Sequence, residues 1–545
     1  MARVSTTSKA RSGSESPSPR MMSNLRLVSM GTIVSRVLGL LRDMGMTATF
    51  GAGTTLDAFI VAFRIPNLAR QLLGEGALST AFLPLFVRCR EHQGDRVARE
   101  MMTAVGVSVG VILSSVIFLA EAGIWTTCWF IELSASTELL LALLALMLPY
   151  SLLICLSALF CAALHAQRQF LWPALVPIAL NLLWLIMLVA GTNLWSWPQS
   201  RALFIACAVT LAGCVQLLIP LWALHARGMG LIRTWRAGWP FVADVFRSML
   251  PVVIGMSLLQ MSAILDSLIA WGLSQPDDAG TAWCQLLGLS PLMESGTASA
   301  LYIGQRMYQL PLGVFGVALG TVLYPMLTQH AQRGEFELLR TDLSRGLQMM
   351  LAVAVPASAG LCVLAWPLTL ALFRHGEFNL DDARLVSRMI AIYGAGVWAY
   401  IGIAIVNRAF YATNDRLTPM RFGFLALGLN LLFDLGFIVW LGGAGMALGS
   451  VLASAIQILL TTRRLNQQVG PLNWPAIWRT FRKTLLATGV MTISCLISMK
   501  FLPASETLMA RLLMLLCPCL VGIVTYFTMA RITGMSELDD FLHRG

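Results

Sequence analysis

Five arginines lie inside long apolar stretches of the chain, where a positive charge is costly. They are Arg36, Arg42, Arg64, Arg70 and Arg306. Insertion at mid-bilayer costs roughly 2.5–3.5 kcal/mol for each such residue, so arginines of this kind are normally sheltered in a wet interior. A guanidinium group stays ionised there, and its planar fork offers paired donors to phosphate. The pattern therefore predicts a hydrated cavity in a membrane protein, where arginines bind an anion.

Two couples of opposite charge share one spacing. Arg36 and Asp43 are seven residues apart on the first apolar segment, and Asp57 and Arg64 repeat this spacing on the second. Because seven residues make about two helical turns, the members of each couple lie on nearly the same face. This arrangement is typical both of buried ion pairs that shield charge and of arginines that contact a ligand, and the spacing leaves both open.

A glutamate and two prolines mark weak points of the predicted helices. Glu75 lies between two glycines, which destabilise a helix, and it is a candidate partner for Arg70 or Arg42. Pro66 and Pro311 remove backbone donors and should kink their helices. We interpret these kinks either as hinges of a moving protein or as packing bends.

A second polar group lies on the seventh and eleventh apolar segments. Asn430 and Asp434 are four residues apart, so their oxygens share a helix face, and Asp266 lies in the middle of the seventh segment. Hard cations such as sodium require several oxygen ligands, which carboxylates and amides supply. The alternative is a set of hydrogen-bonded polar residues in a helix interface.

Composition places these residues in a bilayer. The 545-residue chain is 57% hydrophobic and 12% charged, with a mean hydropathy of +0.74. Its net charge of +11 does not indicate nucleic-acid binding, because the basic residues cluster at the ends of apolar segments and form no dense patch. The 11 cysteines lack zinc-type spacing, and the sequence has no nucleophile elbow, phosphate-binding glycine loop or HExxH motif. We therefore expect neither an enzyme nor an organic cofactor.

Hydropathy predicts an all-α polytopic membrane protein with about fourteen transmembrane helices. The segments are 25–49, 57–86, 100–125, 136–160, 171–194, 202–225, 248–273, 298–329, 346–372, 386–412, 419–440, 444–462, 484–502 and 507–531. With both termini in the cytoplasm, most of the 38 basic residues fall on that side. The opposite side receives only Arg201, Arg374, Arg384 and Lys500.

An internal repeat divides the chain. Residues 62–86 align with residues 304–327, so that Pro84 matches Pro325 and, with a gap, Pro66 matches Pro311. Because six segments separate the copies, the repeat predicts two parallel six-helix lobes related by a pseudo-two-fold axis along the membrane normal. The predicted units are a disordered tail at 1–23, an N-lobe at 24–228, a basic linker at 229–247, a C-lobe at 248–466, two further helices within 467–533 and a tail at 534–545.

Three motifs carry a resemblance to a known family. They are SRVLGLLRD at 35–43, DAFIVAFRIPNLARQLLGEGALSTAFLP at 57–84 and QLPLGVFGVALGTVLYP at 309–325. These motifs resemble the MurJ (MviN) lipid II flippases of the multidrug/oligosaccharidyl-lipid/polysaccharide exporter superfamily, and the likeness extends from about residue 24 to residue 533.

The resemblance implies a transporter of the bacterial inner membrane that moves lipid II to the outer leaflet by alternating access. It implies contact with the pyrophosphate head through Arg36, Arg42, Arg70 and Arg306. In some members a sodium site uses residues that match Asp266, Asn430, Asp434 and Ser450, with proton coupling as the alternative. Besides lipid II and membrane lipid, the expected partners include cell-wall synthesis proteins at the basic inner loops.

The chain departs from the family pattern in two places. Gln305 stands before Arg306, where many relatives carry an acidic residue, so any pairing of Arg306 must come from elsewhere. The loop at 274–297 is longer than the family needs and is either a lid or a tolerated insertion.

Two other functions remain open at this stage. One is export of another polyprenyl-linked saccharide, or multidrug antiport, by a protein of the same superfamily. The other is a membrane scaffold without transport activity.

Overall fold

The computed structural model describes residues 19–274, 292–502, 507–535 and 537. Most of the predicted tails and of the loop at 274–297 lie outside these residues, as does the side chain of Glu75. The first helix already begins at Pro19, so the predicted tail of 1–23 is too long at its inner end.

The N-lobe is a bundle of six α-helices with one π-helical segment. Its elements are α1 (Pro19–Phe50), α2 (Thr54–Ala69), the π-helix π1 (Arg70–Ala77), α3 (Leu78–Phe130), α4 (Ala135–Ala166), α5 (Leu171–Leu194) and α6 (Pro198–His225). A break at Gly94, where φ is 85°, separates the second and third predicted segments within α3.

The C-lobe repeats this plan. Its elements are α7 (Trp239–Gly272), α8 (Thr297–Pro311), the π-helix π2 (Leu312–Gly316), α9 (Val317–Arg333), α10 (Phe336–Leu372), α11 (Leu380–Ala395), α12 (Val397–Ala412), α13 (Leu417–Leu441) and α14 (Gly443–Val469). Two further helices follow, α15 (Trp474–Lys500) and α16 (Leu508–Ile532).

Each of the fourteen predicted segments coincides with a helix or a broken helix. Ten helices within the described residues are long and apolar enough to span a membrane, or eleven if the bent pair α11–α12 is one span. Helix α2 has only 16 residues before π1, and α1 carries several charges. The all-α membrane fold is thus confirmed, whereas the number of fourteen spans stays a prediction.

The internal repeat appears as two matching breaks. Pro66 lies four residues before π1, and Pro311 directly precedes π2. A proline cannot donate to the helical ladder, and a π-bulge is a common response to a disturbed ladder at functional sites. The aligned positions therefore share the same local structure, an α-helix that passes into a π-helix and back, although their role as hinges stays a prediction.

Helices α15 and α16 pack outside the C-lobe. They contact α10, where the Tyr526 hydroxyl donates to the Ala352 carbonyl. None of the described residues that line the central cavity belongs to α15 or α16.

The two lobes meet in a seam at the end of the bundle that holds the α1–α2 turn. The Asp57 carboxylate accepts hydrogen bonds from the backbone amides of Gly296 at 2.8 Å and Ser299 at 2.7 Å, and also from the Ser299 hydroxyl. The Glu377 amide donates to the Ala48 carbonyl at 2.9 Å. The bonds to Asp57 satisfy amide donors at the start of α8 that the helix itself cannot satisfy. Together with the Glu377–Ala48 bond, they join the lobes.

Gly296 is required at this seam. Its φ is +87°, and a β-carbon there would lie 1.9 Å from the Ala52 carbonyl oxygen. Gly228 has a φ of +72° but open space around it.

We expect Gly228→Ala to destabilise the protein by about 1–2 kcal/mol, the usual cost of a left-handed backbone. Gly296→Ala should cost clearly more, because the clash with Ala52 adds to the same backbone cost. Thermal unfolding of the purified proteins in detergent measures both. Equal losses of melting temperature in the two variants would contradict this expectation, because they would show that the backbone at Ala52 moves away from the added methyl group at no cost.

Candidate functional site

A cavity of about 1180 Å³ lies between the lobes. The structure brings all five predicted arginines to its wall, which is formed by residues of both lobes. It runs from Thr47 and Leu56, near the seam, to Val28 and Phe170 at the opposite end. The volume exceeds that of a typical pocket for a small ligand and suits a larger polar head.

Arg42 is the anchored member of the cluster. It is 6% exposed, and its Nη2 atom lies 2.7 Å from Oδ1 of Asp43. Nη1 donates to Oδ1 of Asn181 at 3.2 Å, and Nη2 to the Tyr302 hydroxyl at 3.4 Å. The guanidinium carbon lies 4.5 Å from the centre of the Trp184 ring. With its donors so engaged, Arg42 contributes charge to the cavity while its position is fixed by protein groups.

Asp43 joins the two lobes through a shared carboxylate. One oxygen accepts from Arg42, and the other lies 3.1 Å from Nε of Arg306 on α8. The Arg306 side chain is 38% exposed, so the rest of its guanidinium group faces the cavity. The carboxylate that pairs with Arg306 therefore belongs to the opposite lobe. This agrees with the prediction that Arg306 must pair with a residue other than its neighbour Gln305.

Arg36 does not pair with Asp43, although both lie on α1. Within the described part of the chain, Arg36 makes no hydrogen bond or ion pair, and its side chain is exposed in the cavity wall. Its Nη1 atom packs against Gly313, where a β-carbon would lie 2.7 Å away. Helical spacing gives a common face but not a contact, because Arg42 and Arg306 already occupy both oxygens of Asp43.

The second predicted couple also separates. The oxygens of Asp57 bind the start of α8, whose unsatisfied amides and positive dipole end favour a carboxylate. Arg64 instead donates to Oε1 of Gln305 at 3.0 Å and lies over the Tyr302 ring at 5.6 Å. Asp57 is therefore a seam residue, and Arg64 a second link between the lobes.

Arg70 lies at the junction of α2 and π1. Its Nε donates to Oδ1 of Asn67 at 3.0 Å, and both residues line the cavity. The proposed partnership of Glu75 with Arg70 or Arg42 concerns a side chain outside those that the structure describes.

The predicted cation ligands also come together. Nδ2 of Asn430 donates to Asp266 at 3.0 Å and to Asp434 at 2.6 Å, and the Ser450 hydroxyl donates to Asp266 at 3.3 Å. Oδ1 of Asp434 is buried without a hydrogen-bond partner, close to Gly449.

This group fits a hard monovalent cation. It offers carboxylate and hydroxyl oxygens, and the side-chain NH2 of Asn430 lies between the two carboxylates, where a positive ion would be favoured. Within the described residues, no group of three or more His, Cys, Asp or Glu side chains could hold a metal ion.

The sequence reasoning missed the residues that hold Arg42 in place. Asn181 is an amide in the middle of the apolar stretch of helix α5, and Tyr302 lies one turn before Arg306. A polar side chain inside a membrane helix commonly bonds across a helix interface, so Asn181 carried a usable signal.

Asp43→Asn and Arg36→Gln should differ strongly in their effects on stability. Asp43→Asn leaves the buried Arg42 without its carboxylate, which typically costs about 3–5 kcal/mol. Arg36→Gln removes no ion pair within the described residues and should change the free energy of unfolding by less than about 0.5 kcal/mol. Thermal unfolding in detergent compares the two, and an unchanged melting temperature for Asp43→Asn would contradict this account of the cluster.

Related structures support the fold. A lipid II flippase MurJ in an inward closed conformation matches with a TM-score of 0.74 at 22% identity, covering 93% of this chain and 98% of that one. A multidrug resistance MATE family transporter of the MOP superfamily, in an inward-facing conformation, matches with a TM-score of 0.61 at 13% identity, covering 84% and 99%. Both matches therefore support the fold of this chain.

Sequence relatives identify the family. The probable lipid II flippase MurJ of Vibrio cholerae is 28% identical over 490 residues, which cover 87% of this chain and 88% of that protein. The lipid II flippase MurJ of Burkholderia cenocepacia is 30% identical over 448 residues, which cover 80% and 82%. The family model described as lipid II flippase MurJ matches residues 46–516. The chain therefore belongs to the MurJ family of lipid II flippases.

Proposed function

We propose that this protein flips lipid II from the cytoplasmic to the outer leaflet of the bacterial inner membrane by alternating access. The observation that carries the proposal is the inter-lobe cavity in which Arg42 and Arg306 share the carboxylate of Asp43, while Arg36 lines the same cavity without an ion pair. Such an excess of positive charge favours an anion. The names of the relatives supply the identity of that anion, a lipid-linked pyrophosphate.

The chemistry of lipid II suits this cavity. A diphosphate bearing sugars and a peptide cannot cross about 30 Å of hydrocarbon unaided, whereas its polyprenyl tail is stable there. In our proposal, Arg36 and the exposed part of Arg306 donate to the diphosphate, Arg42 supplies fixed charge, and Arg70 contacts the head nearer π1. The bidentate geometry of arginine matches paired phosphate oxygens.

The cavity faces the cytoplasm in this conformation. It extends away from the seam, toward the end of the bundle where the sequence places most basic residues. The positive-inside rule assigns that end to the cytoplasm, with both termini there. Export then requires the bonds of Asp57 and Glu377 at the seam to break while the opposite end closes.

The lipid tail leaves the cavity between α1 and α8. Helix α1 approaches α8 and π2 through side chains, with Arg306 of α8 against Gly39 and Arg36 against Gly313 of π2. Outward from this gap, α1 exposes apolar residues such as Ile33 and Val37. A head group that draws Arg36 and Arg306 toward itself would thus leave a lateral path for the tail.

Sodium binding at Asp266, Asn430, Asp434 and Ser450 completes the proposal. The group adjoins the cavity, and three of its four members line the wall. Cation binding there would be coupled to the position of α7, α13 and α14 relative to the N-lobe.

Arg36→Gln and Arg306→Gln should abolish growth of cells that depend on this protein as their flippase, without loss of the folded protein. A lost charge-assisted contact to the diphosphate should weaken lipid II binding roughly tenfold to hundredfold. The matched control is Arg90→Gln, which removes an exposed arginine paired with Asp95 at 2.7 Å. Normal growth with Arg36→Gln and Arg306→Gln together would contradict the proposal and favour a scaffold.

Membrane potential should accelerate turnover. An empty cavity with net positive charge is drawn toward the negative cytoplasm by about 2.3 kcal/mol per charge for each 100 mV across the full potential. Collapsing the potential in reconstituted vesicles should therefore slow the flipping of labelled lipid II. An unchanged rate would show that the cavity charge does not drive the return step.

A further inference from the structure

The wall that α12 and α14 contribute to the cavity is polar but uncharged. Helix α12 lines the cavity along one face from Tyr400 to Asn407, and α14 does so from Ser450 to Gln457. The structure describes both helices throughout, and none of their cavity-lining residues is charged. Arg408, the charged neighbour of Asn407, lies off this face and donates to the Gly316 carbonyl at 3.0 Å. These two helices therefore offer a ligand hydrogen bonds but no charge.

The uncharged wall begins beside the arginine cluster. On α8, Arg306 pairs with Asp43, and Tyr308 follows two residues later. The Tyr308 ring stacks on the Tyr400 ring of α12, with the ring centres 4.3 Å apart and an angle of 17° between the planes. Both rings line the cavity. A ligand whose diphosphate lies at Arg306 therefore has this wall next to it.

A diphosphate alone does not match the wall of α12. It is small beside a cavity of about 1180 Å³, and its oxygens accept hydrogen bonds. Oδ1 of Asn407 is also an acceptor, and it is buried without a hydrogen-bond partner among the described residues. Such an unpaired group is costly, and the broad terminal torsion of asparagine lets the amide turn toward a donor. The wall therefore favours a ligand that supplies hydroxyl or amide hydrogens.

Carbohydrate has this chemistry. A sugar ring offers hydroxyls that donate and accept, and apolar C–H groups that pack against aromatic rings. The stacked Tyr308 and Tyr400 supply rigid amphipathic contact area at a low cost in conformational entropy. Amides such as those of Asn407 and Gln457 can both donate to and accept from hydroxyls. An acyl tail would leave these amides unpaired, and a charged peptide would find no opposite charge on α12 or α14.

We propose that the α12 face from Tyr400 to Asn407, together with Tyr308 of α8, is a carbohydrate subsite that binds the sugar attached directly to the diphosphate. The inference rests on the proposed function, because a diphosphate at Arg36 and Arg306 determines where the first sugar lies. Asn407 is seven residues beyond Tyr400, or about 10 Å along the helix, in the direction away from the seam. The subsite makes the protein selective for glycosylated polyprenyl diphosphates over the bare polyprenyl diphosphate.

The test measures lipid affinity of the purified full-length protein in detergent by native mass spectrometry. The three lipids are a bare polyprenyl diphosphate, the same lipid with one N-acetylated hexose, and lipid II. The wild type should bind both glycosylated lipids roughly fivefold or more tightly than the bare one. Asn407→Leu should weaken both by roughly fivefold to tenfold, because a sugar hydroxyl loses its partner. The affinity for the bare diphosphate should not change.

Further variants separate this role from packing. Asn407→Leu breaks no hydrogen bond of the side-chain oxygen, so its melting temperature should stay close to that of the wild type. Tyr400→Leu removes the stacked pair and should reduce the preference for glycosylated lipids in the same way. The matched control is Tyr411→Leu, which removes a 41% exposed tyrosine of α12 outside the cavity wall and should keep the preference.

The outcomes distinguish this inference from the function on which it rests. An unchanged preference in Asn407→Leu and Tyr400→Leu would overturn the subsite. A loss confined to lipid II would also overturn it and assign the wall to the peptide, and an equal loss for all three lipids would assign the wall to the diphosphate. These results leave the proposed function intact. If Arg36→Gln leaves all three affinities unchanged, the diphosphate site fails, and this inference fails with it.

Discussion

The Asp43 carboxylate is the interaction on which the rest of the structure depends. It compensates Arg42 on its own helix and Arg306 on the opposite lobe, so one negative charge serves two guanidinium groups. Without it, Arg42 would be a buried cation with no counter-ion, which a membrane interior does not tolerate. Because Arg36 adds further charge nearby, the cavity stays positive, which supports the proposed binding of an anionic head group.

The architecture surrounds this cluster with contacts of different strength. At the seam, backbone amides and carbonyls join the lobes through Asp57 and Glu377. Across the cavity, long side chains bridge them, in particular Arg306 to Asp43 and Arg64 to Gln305. Matching π-helical breaks lie beside the cavity in both lobes. A side chain that bridges the lobes can exchange its protein partner for a ligand. The backbone hydrogen bonds at the seam, in contrast, must break together for the lobes to separate there. This difference suits the proposed alternating access.

Much of the fold could be predicted from the sequence, because an apolar run of bilayer length has few structures open to it other than a helix. The repeat and the arginine cluster followed from the same pattern. The partners of Asp43 and Asp57 could not be predicted, since spacing assigns a helix face but not the residue opposite. Their partners Arg306 and Ser299 lie more than 200 positions away in the chain.

A structure of the protein with bound lipid II would test the central claim most directly. The account predicts density for the diphosphate inside the cavity, within hydrogen-bonding distance of Arg36 and Arg306, with the Arg42–Asp43 pair intact. Diphosphate density at the membrane surface, with Arg306 still bound to Asp43 and the cavity filled only by water, would contradict it.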